Sequence, residues 1–332
     1  MMCWGFNDEG QLGGARGAGP IKVPGIEDAV DVAAGLAHTC AVRRSGGVMC
    51  WGANLGGQLG AGDRKSHAGP VAVVGIDDAV MVRSRRNVTC ALRRSGAVMC
   101  WGPNDVGQVV PVRGRCPEKG MANIEICPAP VPIPGIEDAV EIAVGAIHAC
   151  ARRRTGEVHC WGDDFHSALG SGQQQGQFSK GTLAKLTDVV EVALGQEHGC
   201  ARRAERGVAC WGRIFQESMA RDASPVAVAG LDDAVEITAG SHFNCARRRD
   251  GTIACWGEDE AGQLGDGKSA NQRTPVAVTG VRDAAHITAG AAHACALSAS
   301  GAVTCWGSNE VGQLGPRCSG KQCGPTVVMG PS

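Results

Sequence analysis

Cysteine is the residue whose spacing in this sequence points most directly to chemistry. Of the 17 Cys, most fall into six pairs whose members stand ten residues apart. The pairs are Cys40 with Cys50, Cys90 with Cys100, Cys150 with Cys160, Cys200 with Cys210, Cys245 with Cys255, and Cys295 with Cys305. Two further pairs, Cys116 with Cys127 and Cys318 with Cys323, lie in less regular segments, and Cys3 is left over. Pairs repeated in this way are typical of disulfides that are built once into each structural unit.

An antiparallel hairpin would position each pair. If Cys40 faces Cys50, then Val42 faces Val48, and Arg44-Ser45-Gly46 form a three-residue loop. Such loops favour Gly at the final, left-handed position. Counting from the other Cys pairs in the same way places Gly96, Gly156, Gly251 and Gly301 at this final loop position. The hairpin of Cys200 is the exception, with Arg206 at this position and Gly207 next.

Opposed residues of an antiparallel pair have Cα atoms about 4.5–5.5 Å apart, which is within reach of a disulfide. The sequence therefore predicts eight disulfides, with Cys3 unpaired. Reduced core cysteines and zinc ligands are the alternatives, although zinc needs four ligands and each pair lacks a second Cys/His pair at ligand spacing. Disulfides in this number predict an oxidising compartment, which is the periplasm, the cell surface or the medium.

The triplet Cys-Trp-Gly shows that the whole chain is repetitive. It begins at residues 3, 50, 100, 160, 210, 255 and 305. A period of about 50 residues is typical of propellers and arrays of small sheets. Segments such as Ala29-Val-Asp-Val alternate apolar and polar residues as strands do, and Pro225 and Pro275 are expected to begin a fourth strand. We predict one all-β domain over residues 1–332 with an insertion at 109–132.

The unit Gly-x-x-His-x-Cys-Ala…Cys-Trp-Gly-x-Asn-x-x-Gly-Gln-Leu-Gly resembles the regulator of chromosome condensation repeat in its Cys-rich bacterial form. The resemblance covers essentially the whole chain and implies a seven-bladed β-propeller closed by strands from both termini. It also implies guanine-nucleotide exchange on a small GTPase in the eukaryotic namesake, while relatives include a plant UV-B photoreceptor and a proteinaceous β-lactamase inhibitor. Because proteins of this family share one fold but have several functions, the resemblance predicts the architecture better than the activity.

The two ends of the chain align with the inside of a repeat. Met2-Cys3-Trp4-Gly5 overlays Met49-Cys50-Trp51-Gly52, and the final Gly-Pro-Thr-Val-Val-Met-Gly matches the segment that begins at Gly69. We therefore expect six complete blades plus an incomplete closing blade that lacks its N-terminal hairpin strand. We also expect the partner of Cys3 and an export signal to lie upstream of this chain.

Residues that recur once per repeat are expected to hold blades together. The seven Trp are assigned to inter-blade packing, with a light-sensing cluster as the alternative. His38, His148, His198 and His293 are expected to hydrogen-bond strand or turn backbone, and acidic pairs such as Glu27-Asp28 to cap turns. No catalytic, phosphate-binding or metal-binding motif is present, so we expect no enzyme activity, no cofactor and no metal.

The predicted hairpin tips are rich in arginine. They carry Arg43, Arg44, Arg93, Arg94, Arg152, Arg153, Arg154, Arg202, Arg203, Arg247, Arg248 and Arg249. These residues could form a ring that binds an acidic polysaccharide, lipid head groups or an acidic protein face. The alternative is solvated loops whose arginines form salt bridges with the acidic turns.

Segments that break the repeat are the other candidates for specificity, because loops on a rigid scaffold often carry function. They are residues 109–132, the Gln-rich stretch 171–183, the loop 213–222 and the run 83–86, which reads Arg-Ser-Arg-Arg. Neutral drift in loop length is the alternative explanation for each of them.

Composition narrows the function further. The net charge is −1 and the pI about 6.7, so no general affinity for nucleic acid is implied, and apolar runs are too short to span a membrane. We expect a monomeric, extracellular, periplasmic or surface-displayed scaffold that binds a protein, an acidic polysaccharide or an anionic surface. The alternatives are an exchange-factor-like regulator of a small GTPase and a proteinaceous enzyme inhibitor.

Overall fold

The computed structural model describes residues 1–14, 20–173, 175–183, 186–205, 207–214, 222–315 and 317–330. In these residues the fold is an all-β β-propeller with six blade sheets, and the helical part is a single 3-10 turn, Met121–Asn123. The chain divides into two compact units, Met1–Phe165 with Gln175–Thr182, and His166–Gln174 with Leu183–Ser332. The single domain predicted over residues 1–332 stays a prediction.

The first unit contains a two-stranded sheet and three blades. The small sheet is β1 (Met2–Cys3) with β2 (Ile21–Lys22). The first blade is β3 (Ala29–Ala34), β4 (His38–Arg43), β5 (Val48–Gly52) and β6 (His67–Ala72). The second is β7 (Ala79–Arg85), β8 (Val88–Arg93), β9 (Val98–Pro103), β10 (Glu118–Lys119) and β11 (Glu125–Pro132). The third is β12 (Ala139–Val144), β13 (His148–Arg153), β14 (Val158–Gly162) and β15 (Ser179–Thr182).

The second unit contains three four-stranded blades. The fourth blade is β16 (Val189–Leu194), β17 (His198–Arg203), β18 (Val208–Gly212) and β19 (Asp222–Val228). The fifth is β20 (Ala234–Ala239), β21 (Phe243–Arg248), β22 (Ile253–Gly257) and β23 (Gln272–Ala277). The sixth is β24 (Ala284–Ala289), β25 (His293–Ser298), β26 (Val303–Ser308) and β27 (Gln322–Met329). Neighbouring strands are antiparallel, as in the hairpins of β16 with β17 and of β24 with β25.

The predicted hairpin register is confirmed. Cys40 pairs with Cys50 and Val42 with Val48, and the amide of Arg43 donates to the carbonyl of Gly47 at 2.8 Å. Gly46 closes the loop with φ +94°, as the loop type requires. In the fourth blade Gly207 has φ +68°, while Arg206 lies outside the described residues.

The six predicted repeat disulfides are confirmed, and each joins directly opposed residues with Cα atoms 4.0 or 4.1 Å apart. This separation is slightly shorter than the expected one. Each disulfide ties the second strand of its blade to the third, and one that closes a loop of this size contributes on the order of 2–3 kcal/mol. In blade order, the bonds join Cys40 to Cys50, Cys90 to Cys100, Cys150 to Cys160, Cys200 to Cys210, Cys245 to Cys255 and Cys295 to Cys305.

The two predicted disulfides outside the hairpins are confirmed as well. Cys116 is bonded to Cys127 with Cα atoms 4.6 Å apart, and Cys318 is bonded to Cys323 with Cα atoms 6.0 Å apart. Cys323 lies in β27 opposite Gly307 of β26, so the second bond ties the edge strand of the sixth blade to the loop before it. Cys3 has a free thiol, as expected.

The fourth strand differs from the prediction. Pro225 and Pro275 lie inside β19 and β23, which begin three residues earlier at Asp222 and Gln272. Proline is tolerated there because the fourth strand lies at the edge of its sheet and the pairing is irregular, with register shifts between Cys210 and Gly212 and between Cys255 and Gly257.

Tryptophan joins one blade to the next, as predicted, and it does so by a hydrogen bond to backbone. The indole Nε1 donates to a carbonyl in the third-to-fourth-strand loop of the preceding repeat. The bonds run from Trp51 to Gln11 (2.9 Å), Trp101 to Gln58 (2.8 Å), Trp161 to Gln108 (3.1 Å), Trp211 to Ala168 (2.8 Å) and Trp306 to Gln263 (3.0 Å). Among the described residues, Trp256 has no such acceptor.

The Gly-Gln-Leu-Gly motif forms the surface that receives this tryptophan. Gly60 has φ +67°, and a Cβ atom there would lie 2.8 Å from Nε1 of Trp101. The side chain of Gln58 accepts the amide of Gly56 at 2.9 Å, which holds the loop closed. Because the acceptor is a backbone carbonyl, the variant sequences at Gln108 and Ala168 keep the bond although their motifs are altered.

The histidine of each Gly-x-x-His element was predicted to bond to backbone, and in two blades it bonds instead to a side chain of the next blade. His38 Nε2 lies 2.8 Å from Thr89 Oγ1, and His198 Nε2 lies 3.0 Å from Asn244 Oδ1. Burial lowers the pKa of His38 to about 4, so the ring is neutral at physiological pH.

Where an apolar residue replaces this histidine, the opposing residue is apolar too. Val88 packs in one core cluster with Ala149, and Phe243 packs in another with Ala294. In these four interfaces polar residues face polar residues and apolar residues face apolar residues, which limits unpaired polar groups between blades. His148 is the exception, since neither nitrogen of its buried ring has a hydrogen-bond partner within the described residues.

The tryptophan bond can be tested by Trp211→Phe, with Trp256→Phe as the matched control. Both indoles are buried, and both changes remove similar volume. Within the described residues, only Trp211→Phe leaves a buried carbonyl, that of Ala168, without its donor. We expect an extra loss of about 1–3 kcal/mol in the free energy of unfolding, measured by denaturant titration of the oxidised protein. Equal losses in both variants would contradict this role of the carbonyl.

Asp259 occupies a repeat position that holds Asn in the first two blades, at Asn54 and Asn104. Its Oδ1 accepts the amide of Leu264 at 2.8 Å, as Asn54 accepts that of Leu59 at 2.9 Å. Its buried Oδ2 has no hydrogen-bond partner within the described residues. Burial raises the pKa of Asp259 to about 6.

We expect Asp259→Asn to raise the melting temperature at pH 7.5 and to change it little at pH 4. A carboxyl whose pKa is higher in the folded state stabilises the fold below its usual pKa near 4, and that contribution is lost as the pH rises through 6. The amide carries no charge and removes this dependence. Thermal scans of both proteins at the two pH values measure it, and an equal gain at both would refute the assignment.

Candidate functional site

The arginines at the hairpin tips form salt bridges within their own blade. The last arginine of each of these second strands pairs with an Asp fifteen residues earlier, just before the first strand. The pairs are Arg43–Asp28 (2.9 Å), Arg93–Asp78 (2.6 Å), Arg153–Asp138 (2.7 Å), Arg203–Asp188 (2.8 Å) and Arg248–Asp233 (2.6 Å). The hydrogen bond from Arg43 lowers the pKa of Asp28, so the carboxylate stays charged.

A second set of tip arginines is neutralised by glutamates of the first strand. The pairs are Arg152–Glu141 (2.7 Å), Arg202–Glu191 (2.8 Å) and Arg247–Glu236 (2.8 Å). Glu191 also accepts the amide of Ile237 in the next blade at 3.2 Å. The acidic residues of the repeat therefore counter arginine charge and connect blades.

Four of the predicted binding arginines remain exposed without an ion pair in the part of the chain that the structure describes. They are Arg44, Arg94 and Arg154 in the first unit and Arg249 in the second. Ala204 and Ala299 stand at the same position in the fourth and sixth blades. Binding through the tips stays a prediction, and its charge would come mainly from these four residues.

The opposite end of each blade carries the residues that are not repeated. We call it the loop end: there the turn between the first two strands meets the loop after the third strand. The amide of Ala53 donates to the carbonyl of Ala37 at 2.8 Å and fixes this meeting in the first blade. Side chains at the positions of Ala37 and Ala53 therefore lie side by side in every blade that keeps the bond.

In the second unit these positions hold charged and titratable groups. Glu197 and Arg213 are adjacent in the fourth blade, and His242 and Glu258 are adjacent in the fifth. Together with His166 they form what we call the acid–imidazole cluster. Arg213 Nε donates to Glu197 Oε2 at 2.6 Å, with a second contact from Nη2 to the same oxygen. His166 Nε2 lies 3.6 Å from Glu197 Oε1.

The acid–imidazole cluster is largely shielded from water. The side chains of His166 and Glu197 are each 13% exposed, and His242 is 6% exposed. Burial lowers the pKa of His242, an effect that the charges of Glu258 and Glu197 oppose. The 3.6 Å contact of His166 is too long for a hydrogen bond, so the pair is not an oriented carboxylate–imidazole dyad.

Sequence analysis did not identify this cluster, because its members come from three repeats. The available signal was that Glu197 and His242 stand where the first repeat has Ala37, and Arg213 and Glu258 where it has Ala53. Within the described residues no group of three or more His, Cys, Asp or Glu side chains could hold a metal ion. The same residues include no helix long and apolar enough to cross a membrane.

In the first unit the loop end of the second blade carries an arginine run. Residues 83–86 read Arg-Ser-Arg-Arg, where the corresponding segment of the first blade, 33–36, is Ala-Ala-Gly-Leu. β7 extends to Arg85, which pairs with Val88, and Arg86 follows in a tight turn with φ +48°. The carbonyl of Arg86 accepts the amide of Leu36 from the first blade at 2.7 Å.

The other non-repeated segments are placed as follows. The insertion 109–132 forms the hairpin of β10 and β11, tied by Cys116–Cys127 and by Glu125, which accepts the amide of Gly114 at 2.6 Å. Most of the loop 213–222 lies outside the described residues, as does Gln174 of the Gln-rich stretch. Their predicted role in specificity stays a prediction.

Comparison with known proteins identifies relatives of this architecture. A sequence model described as the RCC1-like domain matches residues 1–279, and one for the regulator of chromosome condensation (RCC1) repeat matches residues 284–313. No curated protein sequence matches the chain.

Solved structures share the fold at low sequence identity. Human WBSCR16 is 20% identical with a TM-score of 0.84, over 99% of this chain and 94% of that one. Prp20p from Saccharomyces cerevisiae, described with its binding to Gsp1p and histones, is 21% identical with a TM-score of 0.83, over 99% and 85%. Yeast RCC1 (Prp20) bound to Kap60 is 22% identical with a TM-score of 0.81, over 99% and 83%.

An ion pair of the acid–imidazole cluster is expected to contribute more to the free energy of unfolding than an ion pair at a hairpin tip. We expect Glu197→Gln to cost about 1–3 kcal/mol in the free energy of unfolding, because Arg213 loses the negative charge of a shielded, charge-assisted bond. Asp28→Asn is the control, since it breaks the more exposed tip pair with Arg43 and should cost less. Denaturant titration at neutral pH compares them, and a larger loss for Asp28→Asn would contradict the assignment.

Proposed function

We propose, from the premise that this chain belongs to the RCC1-like domain family, that it is a non-enzymatic scaffold that binds a partner protein through the loop ends of its blades. The observation that carries the proposal is the distribution of charge. Most tip arginines are neutralised by carboxylates of their own blade, whereas the loop ends carry charged side chains that only one or two repeats possess. Specific binding requires features that the other repeats lack.

Eight disulfides support action in an oxidising compartment, so we propose a secreted, periplasmic or surface-displayed protein, of the Cys-rich bacterial type. Regulation of a small GTPase by nucleotide exchange is the alternative. It rests on the shared fold with Prp20p, which is described as binding Gsp1p, and no residue of this chain supports it independently.

We further infer that β1 and β2 are the outer strands of a seventh blade. Met2 pairs with Lys22 and Cys3 with Ile21. The same repeat positions pair in the first blade, where Met49 faces Ala72 and Cys50 faces Val71. On this interpretation Cys3 occupies the disulfide position of the repeat, and Val32 of β3, which is 50% exposed, belongs to the interface with that blade.

Photo-crosslinking from opposite ends of the blades tests the binding proposal. A photoreactive amino acid replaces Leu36 or Leu55 at the loop end, and Ser45 or Ser95 at the tips serves as the control. All four side chains are exposed. With oxidised protein added to envelope and culture-fluid fractions, we expect the same cross-linked protein from both loop-end positions and none from the tips. Cross-links confined to the tips, or absent from all four positions, would refute the proposal.

A further inference from the structure

A cavity of about 390 Å³ lies beside the second blade, near its hairpin tip. Its apolar wall is formed by the start of β9, the end of β11, the turn that follows β11 and one residue of the loop after β9. Val98, Val110 and Ile133 in this wall are buried, and Arg115 and Glu137 line the same cavity. Pockets of this size that combine an apolar wall with a few polar groups are typical of small-molecule sites.

A backbone hydrogen bond that other blades form at this place cannot form in the second blade. In the first blade the amide of Val74 donates to the carbonyl of Gly60 at 3.0 Å, and the fifth blade keeps the same bond at 2.9 Å. In the second blade the donor position holds Pro134, which has no N–H group, and the acceptor position holds Val110. This bond therefore does not tie the loop after β9 to the turn after β11, and the cavity lies between these two segments.

Glu137 is exposed and forms no ion pair within the described residues. The acid at the same position before the first blade, Glu27, pairs with Lys22 of β2 at 2.9 Å. In β11 the position of Lys22 is held by Pro132, which is uncharged. Glu137 therefore presents to the cavity a negative charge whose usual counter-ion has been replaced.

Arg115 contributes a positive charge to the same cavity. It belongs to the insertion 109–132 and forms no ion pair in the part of the chain that the structure describes. The next residue, Cys116, is buried and bonded to Cys127, which fixes the backbone that carries Arg115. A guanidinium group on a fixed backbone can bind a carboxylate through two parallel hydrogen bonds.

The two charges and the apolar wall together define the chemistry of a ligand. A simple fatty acid would suit Arg115, but its carboxylate would share the cavity with the like charge of Glu137. An apolar amine would meet the same difficulty with Arg115. A molecule that carries a carboxylate, an ammonium group and an apolar side chain matches all three features of the site.

We propose that this cavity binds a free apolar α-amino acid, with its carboxylate on Arg115, its ammonium group on Glu137 and its side chain against the apolar wall. The site does not depend on the proposed scaffold function, because the cavity lies near the hairpin tip whereas the partner protein is proposed to bind at the loop ends. It also gives the insertion a chemical role, since Arg115 is the charged residue that the insertion places in the cavity.

Ligand-observed NMR titration of the full oxidised chain with L-leucine tests the site. N-acetyl-L-leucine and L-leucinamide are matched ligands that each lack one of the two charges. We expect leucine to bind at least about tenfold more tightly than either analogue, because each analogue leaves one charge of the cavity without its partner. Glycine should also bind more weakly than leucine, because it has no side chain to cover the apolar wall.

Two variants assign the charges to the residues. Arg115→Gln should weaken binding of leucine and leave that of leucinamide unchanged, whereas Glu137→Gln should weaken binding of leucine and leave that of N-acetyl-leucine unchanged. Arg94→Gln is the control, because Arg94 is an exposed arginine of the same blade that does not line the cavity. Its affinity for leucine should equal that of the unchanged protein.

Four results would overturn the proposal: no binding of leucine, equal binding of glycine and leucine, an equal loss in Arg94→Gln, or binding of N-acetyl-leucine as tight as that of leucine. The last result would indicate the C-terminal residue of a peptide as the ligand instead. Circular dichroism checks that the variants fold. If either fails to fold, the comparison of the ligands on the unchanged protein still decides the question.

Discussion

The hydrogen bond from a repeat tryptophan to a carbonyl of the preceding repeat is the contact on which the rest of the structure depends. It places a buried indole between two sheets and fixes the position of one blade relative to the loop of the other. Around it pack the apolar residues of both blades, such as Leu59 and Val82 with Trp101. Histidine–threonine and valine–alanine pairs complete the same interfaces. The four strands of one blade could not bury these residues alone, so each blade is stable only beside its neighbours.

Most of the repeated charged residues pair within one blade, whereas the packing contacts join neighbouring blades. In each of the first five blades the aspartate before the first strand neutralises the arginine at the end of the second, which leaves at most one tip arginine per blade without an ion pair among the described residues. Charges that only one or two repeats possess lie where the repeat is broken, at the loop ends that carry the acid–imidazole cluster and the arginine run. This division explains how a nearly neutral chain can have chemically distinct surfaces. It also explains why the tip arginines, although numerous, contribute less free charge than their count indicates.

The sequence was sufficient to predict the hairpins, because a ten-residue Cys spacing and a recurrent Gly determine both register and loop length. It was not sufficient to predict the acceptor of the tryptophan, since a backbone carbonyl carries no side-chain signature. The partners of His38 and His198 were missed because they lie one repeat further along the chain, at Thr89 and Asn244. Salt bridges between the tip arginines and the acidic turns could be predicted only in general. The individual Asp–Arg partners depend on a shift in strand register, which lies between Ala29 and Asp31 in the first blade. The acid–imidazole cluster needs three repeats to be placed together, which no local pattern encodes.

Every disulfide that the structure describes closes within a single blade, and none links two blades. Apart from the polypeptide chain itself, the described contacts that hold one blade to the next are therefore non-covalent, even in the oxidised protein. A repeat carries its own cross-link with it, so duplication or deletion of one whole repeat changes the number of blades without leaving a cysteine that lacks its partner. The same arrangement lets oxidative folding proceed one hairpin at a time, because every disulfide partner lies between five and eleven residues away along the chain.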